Sequence, residues 1–164
     1  MRTIGVISDT HGLLREEALK ALEGSQLILH AGDVGDESIL ERLGEIAPVH
    51  AVHGNTDGGD LRRMLPPTAL VDLGAEDGHP AEAGAKGPLA YVLHDLADLD
   101  LDPAASDIAI VVSGHTHEPR AVEKWGVLYL NPGSAGPRRF RLPVMVAKVV
   151  IEGGKLETEF FEVG

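Results

Sequence analysis

Asp9, His11, Asp33, Asn55, His94, His115 and His117 are the side chains whose types and spacing could do concerted chemistry. Each stands just after a short apolar run, in Ser8-Asp9-Thr10-His11-Gly12, Gly32-Asp33, His53-Gly54-Asn55-Thr56-Asp57, Leu93-His94-Asp95 and Gly114-His115-Thr116-His117. Carboxylate, imidazole and amide groups suit Mn, Fe, Ni or Zn better than Ca, which prefers oxygen alone. The chain has no cysteine, so thiolate metal sites, disulfides and cysteine nucleophiles are excluded together. Asp and Asn often cap helices or build turns. Capping does not explain two histidines spaced by one residue at the end of a strand.

Bringing seven ligands together requires elements that end at one edge. Residues 3–7, 27–29 and 49–52 are apolar strand-like runs. Helical spacing follows the first two, through Leu14, Ala18, Ala21 and Leu22, then through Ile39, Leu40 and Leu43 from a start near Asp36 or Glu37. Strands alternating with helices predict parallel pairing, since parallel neighbours need a crossover between them, and so a doubly wound first half. Further strands are expected at 69–73, 89–93, 108–112, 127–131, 144–151 and 156–161, with one short helical turn within 96–101. A second sheet of antiparallel character, packed face to face with the first, would bury them. Residues 74–88, rich in Gly, Pro and Ala, read as a mobile surface loop. Ligand sites in open α/β sheets lie beyond the carboxyl ends of the strands, where these residues fall.

The motifs Asp9-Thr10-His11, Gly32-Asp33, Gly54-Asn55-Thr56-Asp57 and Gly114-His115-Thr116-His117, followed by Asn131-Pro132-Gly133-Ser134, together carry a resemblance. In that order they resemble the calcineurin-like metallophosphoesterase superfamily. Size and spacing are most similar to its small bacterial and archaeal phosphodiesterase branch, the one related to the retromer subunit of eukaryotes. The resemblance covers nearly the whole chain. It implies an α/β fold, a four-layer α-β-β-α sandwich of two mixed β-sheets flanked by helices, as a single metallophosphoesterase domain over residues 1–164. It also implies a dinuclear centre for phosphodiester hydrolysis by metal-bound hydroxide. Asp9, His11 and His117 would hold the first metal and Asn55, His94 and His115 the second. Asp33 would bridge them with its two oxygens, and Asp33 and Asn55 are the expected catalytic residues. The cofactors implied are two divalent ions, Mn2+ foremost, with Ni2+, Fe2+ or Zn2+ as alternatives.

Two positions depart from the family pattern. Members usually carry glycine beside the fourth-strand histidine, where this chain has Leu93-His94-Asp95; Asp95 could orient an imidazole or repel an anionic substrate. His79, in Gly78-His79-Pro80, is set aside as the alternative ligand. Some branches place a proton-donating histidine directly after the asparagine, where this chain has Thr56. His53 and Asp95 are the nearby candidates. His53, Asp57 and Asp95 are expected to support the ligands from behind, Asp57 by anchoring the asparagine loop. His30, like His53, stands just ahead of a motif glycine. Asn131-Pro132-Gly133-Ser134 reads equally as a turn or as a support for the metal histidines. Arg138, Arg139 and Arg141 read as a solvated charge run, and no substrate-binding residue is identified.

Lys and Arg number 14 against 26 Asp and Glu, a net charge of −12. Such a surface repels extended nucleic acid, whereas two divalent ions would invert the local field for a small phosphodiester. No stretch approaches the ~20 apolar residues of a membrane span, and no leader is recognisable, so no membrane partner and a cytoplasmic setting are expected. An oligomer is left open. The rival functions are a non-enzymatic scaffold of the same fold and a phosphomonoesterase.

Overall fold

The first apolar run becomes β1 (Arg2–Ile7) in a computed structural model that describes residues 1–164. After it come α1 (Glu16–Leu22), β2 (Leu27–His30), α2 (Glu37–Gly44), β3 (Val49–Ala51), α3 (Gly59–Met64), β4 (Thr68–Asp72) and β5 (Leu89–Leu93). A single 3₁₀ turn at Leu96–Asp98 precedes β6 (Ile108–Val112), β7 (Arg120–Lys124), β8 (Val127–Asn131), β9 (Met145–Glu152) and β10 (Lys155–Glu162). Asp36 starts α2 where expected, its carboxylate accepting the Ser38 N–H at 2.9 Å.

β1, β2 and β3 pair in parallel, as strands joined through helices must. β9 and β10 return antiparallel, giving the order β10-β9-β1-β2-β3. The second sheet runs β4-β5-β6-β8-β7, parallel at its centre and antiparallel at both edges. Two mixed five-stranded sheets flanked by few helices make the expected α/β sandwich.

Alternation along β1 and β2 divides the core. Ile4, Val6, Leu27 and Leu29 pack against Val71, Val92, Ile110 and Leu130 of the other sheet. Ile7 and Ile28 share the opposite cluster with Ala18, Leu22, Ile39, Leu43 and Leu61 of the three helices. Both faces of β2 are thus dry, which is why it reads Leu-Ile-Leu-His without alternation. All three helices therefore lie on one face, correcting the doubly wound expectation, because the second sheet occupies the other face. The outermost layer over the second sheet shrinks to the 3₁₀ turn with Leu99 and Leu101, which pack near Leu93, Ile108, Val111 and Val127.

Two elements escape sequence reading. α3 buries only Leu61, and β7, Arg-Ala-Val-Glu-Lys, is exposed at every position, so neither shows a period. The 74–88 segment is a surface loop, as expected, and its two ends are anchored. Buried Asp72 accepts N–H groups from Gly74, Lys86 and Gly87 at 2.9, 2.6 and 3.0 Å, clamping both ends together. Arg2 ties the same segment down through the carbonyls of Leu73 and Ala75.

Candidate metal centre

All seven candidate ligands come from loops at the carboxyl ends of β1, β2, β3, β5 and β6. Five of them hold left-handed backbone: Asp9 at φ 54, His11 at 46, Asp33 at 55, His115 at 71 and His117 at 64. Such conformations cost non-glycine residues about 1–3 kcal/mol each and persist where the surroundings impose them. The glycines solve a different problem. A Cβ on Gly54 would lie 2.1 Å from Asp33 Oδ1, and one on Gly114 would lie 2.0 Å from Ser8 Oγ and 2.5 Å from Asp9 Oδ2.

The two aspartates present one oxygen each. Asp9 Oδ2 accepts the Ser8 hydroxyl at 2.7 Å and the His115 N–H at 3.0 Å. Asp9 Oδ1, fully buried, has no hydrogen-bond partner, and faces the Nε2 atoms of His117, His11 and His94 at 3.3, 3.8 and 3.9 Å. Asp33 Oδ1 accepts the Thr56 N–H at 2.9 Å. Asp33 Oδ2 is left between His94 Nε2 at 3.2 Å and His11 Nε2 at 3.7 Å. Asp9 with His11 and His117, and Asp9 with Asp33 and His94, are the two groups compact enough to hold a metal ion. The free oxygens of Asp9 and Asp33 both stand between the two sides.

On the second side, Asn55 Oδ1 lies 2.9 Å from His94 Nε2 and 3.1 Å from His115 Nδ1. His94 Nδ1 donates to the Ala31 carbonyl at 2.8 Å, which leaves Nε2 as its lone-pair atom. His115 is turned the other way: Nδ1 faces the cluster and Nε2 lies 3.7 Å from Asp95 Oδ2. Asp95 thus stands behind an imidazole, while its other oxygen caps the 3₁₀ turn at the Ala97 N–H.

Charge follows this geometry. For Asp9, burial pushes the carboxyl pKa up, but His117, the Ser8 hydroxyl and the charge of His94 outweigh it, leaving it below the ordinary value. Asp33 is also buried, yet His94 and the Thr56 N–H hold it well below the carboxylate range. Burial works against the charged form of His94; Asp33, Asp9 and the Ala31 carbonyl overcome this and raise its pKa. Both carboxylates are thus held in their charged form, as a cation site requires.

Support comes from residues that sequence reading placed loosely or missed. Asp57, 3% exposed, accepts the N–H groups of Val34, Gly35 and Gly54 at 3.1, 3.0 and 2.9 Å, pinning the Asp33 loop to the Asn55 loop. Asp57→Ala is expected to cost roughly 3–5 kcal/mol by stranding three donors, two of them buried; a loss under about 1 kcal/mol in urea unfolding would contradict this. Asn131 donates to the Gly114 carbonyl and to Thr116 Oγ1, both at 3.0 Å, and Ser134 Oγ donates to the Asp9 carbonyl at 2.9 Å. The Asn-Pro-Gly-Ser turn therefore holds both histidine-bearing loops. His53 makes no side-chain hydrogen bond to any of the seven and instead lines a cleft beside Asn55.

His30 ties two further loops. Its Nε2 bonds Thr10 Oγ1 at 3.0 Å and its Nδ1 accepts the Gly32 N–H at 3.1 Å. Complete burial pushes its pKa down to about 4, against the partly compensating charges of Asp9 and Asp57. The unfolded imidazole takes up a proton near pH 6.5 and the folded one only near 4, so stability falls as pH drops through that window. About 3 kcal/mol should be lost in metal-free protein, by 1.4 kcal/mol per unit. Urea unfolding of wild type and His30→Gln checks this, since the variant should lose the larger part of the slope.

A two-sheet α/β sandwich with aspartate, histidine and asparagine gathered at its strand ends is the architecture of a metal-dependent phosphoesterase. Residues 1–154 match the calcineurin-like phosphoesterase superfamily domain, and the chain belongs to that superfamily. It is 36% identical to a probable metallophosphoesterase of Methanothermobacter thermautotrophicus, covering 98% of this chain and 92% of that one. Two solved structures share the fold. One is described as a novel archaeal phosphodiesterase, with a TM-score of 0.73, 20% identity, and coverage of 97% of this chain and 99% of that one. The other is wild-type Vps29 of Entamoeba histolytica complexed with zinc, with a TM-score of 0.69, 21% identity and 99% coverage of both. No helix is long and apolar enough to cross a membrane.

Proposed function

We propose that the protein is a phosphodiesterase with a dinuclear centre. Asp9, His11 and His117 serve one metal, Asn55, His94 and His115 the other, and Asp33 stands between them. The observation that carries this is the orphaned, fully buried Asp9 Oδ1 facing three imidazole nitrogens. A buried carboxylate oxygen without a donor is costly, and a cation relieves it. The donor set is oxygen and nitrogen throughout, which fits Mn2+ and also Fe2+, Ni2+ or Zn2+.

Bound divalent ions would supply Lewis acidity toward the phosphoryl oxygens and an activated water for in-line displacement. The chain's own residues fix the donors for that chemistry. Asp33 Oδ1 accepts the Thr56 N–H, which holds the carboxylate so that Asp33 would serve both ions with Oδ2 free of any other donor. Ala31 sets which nitrogen His94 offers, and Asp95 faces the back of His115, so the departure from the family pattern supports the second side. Thr56 offers no acidic proton where a histidine could stand, which favours diesters with good leaving groups over monoesters.

The scaffold reading gives no reason for five ligands in left-handed backbone. Titrating Mn2+ into metal-stripped protein tests the assignment. Two ions per chain are expected, and fewer than one would favour the scaffold.

A further inference from the structure

A second cavity, of about 350 Å³, opens on the outer face of the second sheet. Val122 of β7 and Tyr129 of β8 sit directly opposite one another in its floor, and Leu96 and Leu99 form a wall. Leu96 and Val122 are 42% and 37% exposed, so this apolar surface is left in water. Arg120 and Lys124 also line the cavity, together with the carboxylates of Asp95 and Glu118. Alternate residues of a strand share a face, so the two cations flank Val122, about 13 Å apart at a rise of roughly 3.3 Å per residue. In a chain of net charge −12 they make no ion pair, whereas Arg42 and Arg63 pair with Glu16 and Asp60.

The cavity borders the loops that bear the metal centre, being lined by Asp95 next to His94 and by Gly114 and Thr116 on either side of His115. Arg120 lies opposite Asn131, whose amide grips Gly114 and Thr116 on either side of His115. Asp95, which faces His115 Nε2, borders the cavity as well. The cavity thus offers an arm of a diester held at the centre an apolar and aromatic surface with two cations free of ion pairs.

We propose that this cavity receives a nucleoside arm of the substrate that carries a further phosphate, with the base against Tyr129, Val122 and the leucines and the phosphate on Arg120 and Lys124. The inference rests on the phosphodiesterase reading and names its substrate as a short nucleotide diester. Apolar surface alone would accept any greasy arm; an arginine and a lysine on the same strand face, neither neutralised by an ion pair with Glu118 or Asp95 of the same lining, favour an anionic one. The volume takes one nucleotide-sized group, and the acidic remainder of the surface turns away a long polyanion.

Binding is measured apart from turnover, with thymidine 3′,5′-bisphosphate added to metal-stripped protein and followed by calorimetry and amide NMR. Saturable binding is expected, with shifts at Val122 and Tyr129. It should weaken roughly tenfold in each of Arg120→Ala and Lys124→Ala, the usual worth of a charge-assisted contact. Both residues are exposed, so both variants should fold. No saturation, equal binding by the variants, shifts confined elsewhere, or dimerisation through this face would overturn the proposal. With Mn2+, the ratio of kcat/KM for thymidine 5′-(p-nitrophenyl phosphate) 3′-phosphate over ethyl p-nitrophenyl phosphate should exceed ten and fall toward one in the double variant. Binding without cleavage of either ester would refute the phosphodiesterase reading and leave a nucleotide site. Cleavage of both without binding would refute the cavity assignment alone.

Discussion

Replacing Asp33 with asparagine should lower metal-dependent diester hydrolysis by roughly a thousandfold or more while the protein stays folded. The asparagine carbonyl can still accept the Thr56 N–H that Oδ1 accepts now, so the loop keeps its anchor. What changes is the atom between His94 and His11. Oδ2, at 3.2 and 3.7 Å from their Nε2 atoms, becomes an NH2 group with no lone pair to offer a cation. Turnover of a chromogenic diester, measured beside the unfolding midpoint, separates the two effects. Wild-type turnover in Asp33→Asn would refute the placement of Asp33 between the metals.

Gly114→Ala should weaken metal binding by roughly 10- to 100-fold although residue 114 is no ligand, because it displaces the groups that orient one. The added methyl would sit 2.0 Å from Ser8 Oγ and 2.5 Å from Asp9 Oδ2, closer than side chains can approach. Ser8 and the His115 N–H hold Asp9 Oδ2, and through it they aim the free Oδ1. Gly44 makes the control, since nothing lies within 4 Å of a Cβ built there. Mn2+ affinity should be lost in Gly114→Ala and retained in Gly44→Ala; equal affinities would show that close packing against Asp9 is irrelevant.

The sequence made the seven residues of the centre legible because each follows a strand, and strands of one sheet edge end together. That logic needs only residue type and position. Two things lay beyond it. The first is which atom of each ligand faces inward: the orientations of His94 and His115 depend on Ala31 and Asp95, 63 and 20 residues away along the chain. The second is the network behind them, in which Asp57 and Ser134 bond to backbone 23 and 125 residues away and His30 bonds the Thr10 hydroxyl 20 residues away, partners brought near only by folding. The strand pattern gave the sheets but not the placement of the helices, because one buried face looks the same in sequence whether a helix or a second sheet covers it. β7 carried no pattern at all, being an exposed edge, and it is the strand that lines the cavity beside the centre.

The free oxygens of Asp9 and Asp33, and the left-handed backbone of the ligand loops, suit a chain organised to hold cations, and the phosphodiesterase proposal rests on them. The most direct test is hydrolysis of bis(p-nitrophenyl) phosphate by metal-stripped protein, with and without added Mn2+, beside p-nitrophenyl phosphate. Diester cleavage is expected to appear only with the metal and to exceed monoester cleavage. No turnover with any divalent metal, or a clear preference for the monoester, would contradict it.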